Sequence, residues 1–508
     1  MISSRCFVLA ICIQWCIFAN GTANDLENNS ANKASKNDVN KARADFVSSS
    51  VLNFAHDVGV LLNEDLQIGK TSIFSPVSIM SSMALLMLGS RGKHYEDLRH
   101  ALRLDVPPTG DASNAFHAEF GAMMHEMQDN SVSLQLRNRD NWRNTNVAYS
   151  IRDNPKVSEL NGTAVNSIIK IVNGLFVKNG YELNPMYRDV ISSVYKSDVI
   201  PLDFNTPLAR DYINDWIYKS TFGKIAGIIT DNIPSDTNAI IASALYFRGF
   251  WENPFIKGAT VIDNFYPDGL QNPPIKIQMM ATAGAYPYYF SVEHDCKIIG
   301  IPYINNFTTM YVIHPNNSSR SKLRNLLNKL DSEEIESMIS KMVYQNAIFA
   351  LPKMHFTQNI NMKYVFRALG IKDIFARNRG TIPPISDLAN RAWPRARRGV
   401  TFPTDNPAMV VRAPYTSTEE LLEQWSFNRN ASNNLLSDLF VGDIVHKVDF
   451  MVDEKGTEGA AATVTYLKRS GGNVLFRAET PFILLVRHDP TKLPLFYGII
   501  NIPSPIFS

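Results

Sequence analysis

Between a strand-like run at 445–452 and another at 474–477 the chain carries Asp453-Glu-Lys-Gly-Thr-Glu-Gly-Ala-Ala-Ala-Thr-Val-Thr-Tyr-Leu-Lys-Arg-Ser-Gly-Gly-Asn473. This is long for a strand connection, and its first half has small and β-branched residues where a solvated loop would favour Pro, Asn and Asp. Strand side chains alternate between faces, so in a sheet Thr457, Gly459, Ala461, Thr463 and Thr465 would share one side, with Glu458, Ala460, Ala462 and Val464 on the other. The first set is small throughout. Such a strand could slide between two existing strands without forcing a bulky or charged side chain into a core, where an unpaired charge is costly. The segment therefore fits two states, exposed loop and inserted strand. An Ala/Gly-rich linker is the simpler reading, but linkers do not usually hold this face-by-face order. The second half turns basic at Lys468-Arg469-Ser470 and then glycine-rich at Gly471 and Gly472.

The rest of the chain must supply the sheet. Its 508 residues would suggest two or three domains on length alone. A composition 45% hydrophobic and 19% charged supports a large buried core. Fifty basic against 48 acidic residues leave a formal charge of +2, so no global field points to nucleic acid. Residues 1–21 combine Arg5, an apolar run and small residues, the pattern of a secretory signal peptide, and the run is too short for a membrane span. A secreted, extracellular, glycosylated product is expected, with Asn-x-Ser/Thr acceptors at Asn28, Asn161, Asn306, Asn316, Asn317 and Asn430. With the signal removed only Cys296 remains, so no internal disulfide is expected, and a plain buried thiol is expected there rather than a reactive one.

Residues 22–45 are rich in Asn, Lys, Ser and Asp and read as a flexible N-terminal tail. Phe46, Val51, Leu52, Phe54, Ala55, Val58, Leu61 and Leu62 then recur at helical spacing, and further helices are expected at about 77–88, 95–102 and 112–127. Strand-like runs at 168–177, 239–247, 299–303, 309–314 and 347–351 precede a C-terminal sixty residues that are nearly all strand. Two polar stretches, about 130–165 and 378–434, read as surface insertions in a single domain at 46–503. An α+β class with large sheets follows.

Glu454-Lys-Gly-Thr-Glu-Gly-Ala-Ala-Ala-Thr463 resembles the hinge of inhibitory serpins. Phe74-Ser-Pro-Val-Ser-Ile79, Asn214-Asp-Trp216, Thr221-Phe-Gly-Lys-Ile225, Ala244-Leu-Tyr-Phe-Arg-Gly-Phe-Trp251, Phe476-Arg-Ala-Glu-Thr-Pro-Phe482 and Leu495-Phe-Tyr-Gly498 are similar to further stretches of that family and occur in the same order. Ser243 stands where the family usually has Asn, and Gly459 where Ala is commonest. The resemblance implies eight to nine helices around three β-sheets with an exposed reactive-centre loop at about 454–473. It also implies a suicide substrate: a protease attacks the bait bond, and the cut loop inserts as a new central strand and traps the acyl-enzyme. The hinge would comprise Glu454, Gly456, Thr457, Glu458, Gly459, Ala460, Ala461, Ala462 and Thr463, and Trp251 would stand where the main sheet opens. His446 would pair with Asn214, Ser75 and Ser78 beneath the opening sheet. No catalytic residue, cofactor or metal site is expected, and no nucleophile elbow or His-Glu-x-x-His spacing is present in the sequence.

The family's usual spacing of about 17 residues from Glu454 puts the cut after Ser470, and a loop one residue shorter puts it after Arg469. A trypsin-like pocket ends in a carboxylate and selects a long cation, so Arg469-Ser470 is the better choice and Lys468 the second. The expected partner is a trypsin-like serine protease in covalent complex, in an extracellular cascade, with the inhibitor a monomer. A non-inhibitory serpin, acting as carrier, storage protein or chaperone, is the alternative. The arginines Arg391, Arg395, Arg397 and Arg398 fit a solvated loop, a sulfated polyanion site or a dibasic processing site.

Overall fold

In the structure, a computed structural model, residues 39–63, 69–90, 92–104, 111–129, 140–144, 168–180, 185–234, 237–304, 307–371, 418, 420–425, 441–457 and 474–504 are described. Helix α1 spans 39–61, and the periodic apolar positions noted above are all buried on it or just past its end. It begins inside the stretch expected to be a tail. Lys41, Ala42, Arg43 and Ala44 are good helix formers without a large apolar side chain, so helix extends there without an apolar stripe, and Ala44 is buried.

Strand β1 (Ser72–Phe74) leads into α2 (Pro76–Gly89), every residue of which is buried. A helix apolar on all sides has to be a core helix. Ser75 caps it, its Oγ accepting from Ser78 N–H, and Pro76 occupies the first turn where no N–H is needed. Helices α3 (Gly92–Ala101), α4 (Asp111–Gln128) and α5 (Asn141–Asn144) precede β2 (Ile168–Lys178). Then come α6 (Pro185–Tyr195), β3 (Asp198–Leu202), α7 (Leu208–Ser220) and β4 (Ala239–Phe250). Next follow β5 (Val261–Phe265), β6 (Ile275–Ser291), β7 (Cys296–Pro302), β8 (Thr308–Pro315), α8 (Arg320–Leu327), α9 (Ser332–Ser340), β9 (Val343–Pro352), β10 (Met354–Asn361) and α10 (Met362–Ala368). Helix α11 (420–425), β11 (Val441–Val452), β12 (Gly456–Thr457), β13 (Val474–Arg477), β14 (Phe482–His488) and β15 (Leu493–Ile500) complete the described chain.

The expected α+β architecture is present. Among the described residues the strands join as two sheets, because the long β6 pairs with β5 and β9 along its first part and with β7 along its last. One sheet runs β1-β15-β14-β8-β7-β6-β9-β13, with β5 beside β6. The other runs β10-β11-β4-β2-β3, with β12 beside β4. The main core lies between these sheets and around α1 and α2, while a smaller cluster packs Ile213 and Ile217 of α7 on Val172, Phe176, Ala242 and Ala244.

Both stretches expected to be surface insertions send an anchor inward. From the second, α11 buries Leu422 and Trp425, whose indole donates to Leu88 O at 3.2 Å and packs 5.5 Å from Tyr187. From the first, Trp142 is buried and Asp140 and Arg143 enter an ionic network around Arg487, which is fully buried. Arg487 donates to Asp140, to Glu336 of α9 at 2.5 Å and to Asp489 at 3.0 Å, and Asp489 also accepts from Arg143 and from Thr309 and Tyr311 at 2.6 and 2.9 Å. Burial pushes the Asp140 carboxyl up, more than Arg487 pulls it down. Asp489 would keep Arg143 and Glu336 would keep Lys492, but removing the cation would strand the buried Asp140 carboxylate, so Arg487→Ala is expected to cost about 3–5 kcal/mol in urea unfolding.

Candidate functional site

The neighbours β4 and β11 are parallel at the centre of the six-stranded sheet. Their ladder runs from Ala239 to Ala244 on β4 and from Val441 to Lys447 on β11, and there it stops although both strands continue. At the far end Gly456 and Thr457 pair antiparallel with Phe250 and Gly249. Among the described residues Leu245 to Arg248 thus have no ladder partner toward β11, and a slot lies between the two closures.

A turn holds the upper closure. After β11, Asp453 Oδ1 accepts from the N–H of Lys455 and Gly456 at 2.8 and 3.0 Å, an arrangement that bends the chain back on itself. Trp251 N–H donates to Lys455 O at 2.9 Å, and its indole donates to Asp453 O at 3.0 Å. The Trp251 ring is buried and stacked 4.5 Å from Tyr303. Glu454 receives Thr260 Oγ1 at 2.8 Å and Lys353 Nζ at 3.2 Å. Burial pushes its carboxyl up, but these donors and its own backbone amide together hold it below the ordinary value. Gly456 is buried, and a Cβ there would fall on Gly249 O and lie 2.8 Å from Phe250 Cα, so only glycine allows the two backbones to meet.

The lower closure is a polar row across three strands. Asn173 of β2, Ser243 of β4 and His446 of β11 are register partners, and each bonds to α2 below. Ser75 N–H donates to His446 Nε2 at 3.0 Å, Ser78 Oγ and Ser243 Oγ lie 2.5 Å apart, and Asn173 takes Ser82 Oγ at 3.0 Å and gives to Ser81 Oγ at 2.5 Å. His446 Nδ1, which must then carry the proton, faces the Ser243 backbone without reaching hydrogen-bond geometry. Burial lowers the pKa of this imidazole to about 4.

Ser75, Ser78 and His446 meet as the resemblance implied. Asn214 does not join them. It lies on α7, on the opposite face of the sheet, where its carboxamide brackets the Ile229 peptide with two bonds of 2.9 Å. Ser243, the register partner of His446, bonds Ser78 in its stead, and Asn173 on the next strand reaches Ser81 and Ser82; a lone amide inside the apolar run 168–177 is the signal for the latter, since a buried Asn must find partners. The chain after α7 straps the outer face of the slot. Phe222, at a φ of 55°, lies 5.4 Å from Tyr246 of β4, Lys447 of β11 donates to Ala226 O and Gly227 O, and Asn359 of β10 donates to Ile228 O at 3.1 Å.

Of the other expected residues, Asn317 is exposed, while Asn316 is half-buried and tied to Asp295 at 2.7 Å. Glu458, Gly459, Ala460, Ala461, Ala462, Thr463, Lys468, Arg469 and Ser470 lie outside the described residues, as do Arg391, Arg395, Arg397, Arg398, Asn161, Asn306 and Asn430. Cys296 is buried with its thiol pushed up to about 12 by burial, first, and by Asp295, so the expected inert thiol is what the fold contains.

A strand slot with a chain turned into its upper end has a counterpart among known families. Residues 50–503 match the family model described as serpin (serine protease inhibitor). The chain belongs to the serpin family. It is 42% identical over 465 residues to serine protease inhibitor 28Dc of Drosophila melanogaster, covering 91% of this chain and 80% of that one. With leukocyte elastase inhibitor of Xenopus laevis it shares 24% over 90% of its length and 99% of the relative's. Among solved structures, human thyroxine-binding globulin complexed with thyroxine superposes with a TM-score of 0.64 at 17% identity, covering 90% of this chain and 98% of that one. Human glycosylated kallistatin gives 0.64 at 20%, covering 91% and 100%. These two establish the serpin fold.

Two outcomes test the closures. Gly456→Val should unpair β12, cost about 1–3 kcal/mol and speed amide exchange at Trp251, whereas unchanged exchange would mean that another contact holds the turn. His446 titrates near 4 in the fold against 6.5 when free, so its share of stability is complete above pH 6.5 and is lost as pH falls toward 4, by about 3 kcal/mol at most. His446→Gln should therefore flatten the pH dependence of the urea midpoint in that window by about one proton.

Proposed function

We propose that this serpin is a secreted inhibitor of trypsin-like serine proteases, consumed in a single turnover, with Arg469-Ser470 as the bond attacked. The observation that carries this reading is the pairing of Gly456 and Thr457 with the upper end of β4, directly before a segment of small residues and above strand positions left without a ladder partner. A protease serine oxygen attacks the Arg469 carbonyl, the Arg469–Ser470 C–N bond breaks, and Ser470 leaves as a free amine carrying the proton that the protease base took from that serine. An ester then joins the protease to Arg469. If residues 458 onward now fill the slot, successive residues add backbone bonds to one neighbouring strand and then the other, and the tethered protease is carried away from its starting position before water can cleave the ester. The arginine at 469 suits a pocket that ends in a carboxylate. Inhibitor relatives in fly and frog support the class of activity, and the segment 1–21 with its downstream sequons supports secretion into a compartment where such proteases act.

Incubation with bovine trypsin is expected to give an adduct that survives SDS and releases a peptide beginning Ser470-Gly-Gly-Asn. Arg469→Ala should lower the rate of adduct formation at least tenfold. Clean cleavage without adduct would favour a carrier or storage role, and a released peptide beginning at Arg469 or Gly471 would move the attacked bond to Lys468 or Ser470.

A further inference from the structure

The β12–β4 register has a consequence for one side chain inside the slot. Gly456 faces Phe250 and Thr457 faces Gly249. In an antiparallel ladder each step forward on one strand is a step back on the other. The same register continued sets Glu458 opposite Arg248, Ala460 opposite Tyr246, Ala462 opposite Ala244 and Thr463 opposite Ser243. Opposed residues share a face. Arg248 belongs to the α7 face, in line with Ala242 and Ala244 under α7 and with Tyr246 under Phe222. Its Nε is buried without a hydrogen-bond partner, and its cross-strand neighbour on β2 is Ile168, which offers it no charge. A buried donor without an acceptor is destabilising. Glu458 is the one charged residue between Thr457 and Leu467.

We propose that Arg248 is a receptor for Glu458 when the segment that follows β12 enters the slot, and that this ion pair sets the register of the new strand. The inference rests on the inhibitory reading insofar as it needs the segment to enter the sheet. Continuity with the existing β12–β4 pairing names the occupant, and the unmatched guanidinium names the charge it must bring. A slip of one residue in either direction would turn Glu458 to the core face, opposite Phe247 or Gly249, where a carboxylate has no counter-charge and is strongly disfavoured. The correct register also brings Thr463 beside Ser243, so that a hydroxyl meets the polar row, whereas a slip would bring Ala462 or Val464 there. Glu458 is thus the exception among small residues because it lies where the sheet holds an unmatched cation.

The test uses the full secreted chain with bovine trypsin and four variants: Arg248→Ala, Arg248→Glu, Glu458→Arg and the double exchange of Arg248→Glu with Glu458→Arg. Two quantities are read, the moles of serpin consumed per mole of trypsin inhibited, and the gain in thermal midpoint when the loop is cut. Each single exchange should raise the stoichiometry about threefold or more and reduce the gain in midpoint, and the double exchange should bring both back to within about twofold of the parent. Single variants equal to the parent, or a double variant no better than the worse single, would overturn the pair. Arg248→Ala repels nothing, so it decides the matter if an exchange variant fails to fold. A parent that forms no adduct yet gains stability on cutting would defeat the inhibitory reading while leaving the midpoints to judge the pair. A parent that does neither overturns both.

Discussion

The bond from Ser75 N–H to His446 Nε2 joins the two sheets at the point where the slot ends. Ser75 follows β1, an edge strand of the larger sheet, and caps the buried helix α2, while His446 lies on β11 at the centre of the smaller sheet. Three serines on the next turns of α2 reach Ser243 and Asn173 of the two neighbouring strands, so one helix face sets the height of three strands. Above that row the ladder between β4 and β11 ends within a residue. The slot exists because the strands are fastened from below by side chains and from above by a turn, and each closure leaves the strand edges between them free to accept a partner. Burial keeps the imidazole neutral, so the bond is made without a buried charge to be compensated.

Much of this was legible before any coordinates. The apolar period of α1, the apolar girth of α2 and the strand-rich last sixty residues each follow from local pattern. Where reading failed, the cause was long-range. Asn214 and Asn173 are both amides next to a β-branched apolar residue, and only the fold shows that one brackets a loop peptide while the other bridges to α2. The polar stretches about 130–165 and 378–434 average out as hydrophilic, yet Trp142 and Trp425 each carry enough apolar area to anchor a short helix within them. Arg487 could not be read as the centre of a network, because its three carboxylates come from places far apart in sequence.

The strap after α7 bears on how the slot can change. It is held to β4 by a ring contact, to β11 by one lysine and to β10 by one amide, and it buries Ile225 and Ile228 in the cluster with α7. The closures at each end are dense by comparison, with buried hydrogen bonds and a stacked indole at the top. A strand entering from the β12 turn therefore meets resistance that yields one contact at a time on the outer face, while the core face, held by the packed rings of Phe247, Trp251 and Tyr303, stays in place.

Whether entry is favourable then turns on the inserted side chains. Each residue of a new central strand makes two backbone bonds, directed to one neighbour and then the other along the strand, worth about 1 kcal/mol apiece, and ordering its backbone costs about 1–2 kcal/mol, so these two contributions nearly cancel. Glycine and alanine add no side-chain entropy loss on burial, which is why Gly459, Ala460, Ala461 and Ala462 leave the balance on the favourable side where lysine or glutamine would reverse it. The same arithmetic sets a limit toward the far end of the segment. Tyr466, Leu467 and Lys468 are bulky or charged, lose rotamers when ordered and would have to fit against the β4–β11 ladder below the polar row, which is already closed. Filling the slot beside Leu245 to Arg248 needs no pairing to be broken, but reaching and passing the row requires that the β4–β11 ladder part from Ala244 onward. That step requires a driving force from the small residues already seated above it, and so the order of the sequence, small first and basic last, is also the order in which the sheet can accept it.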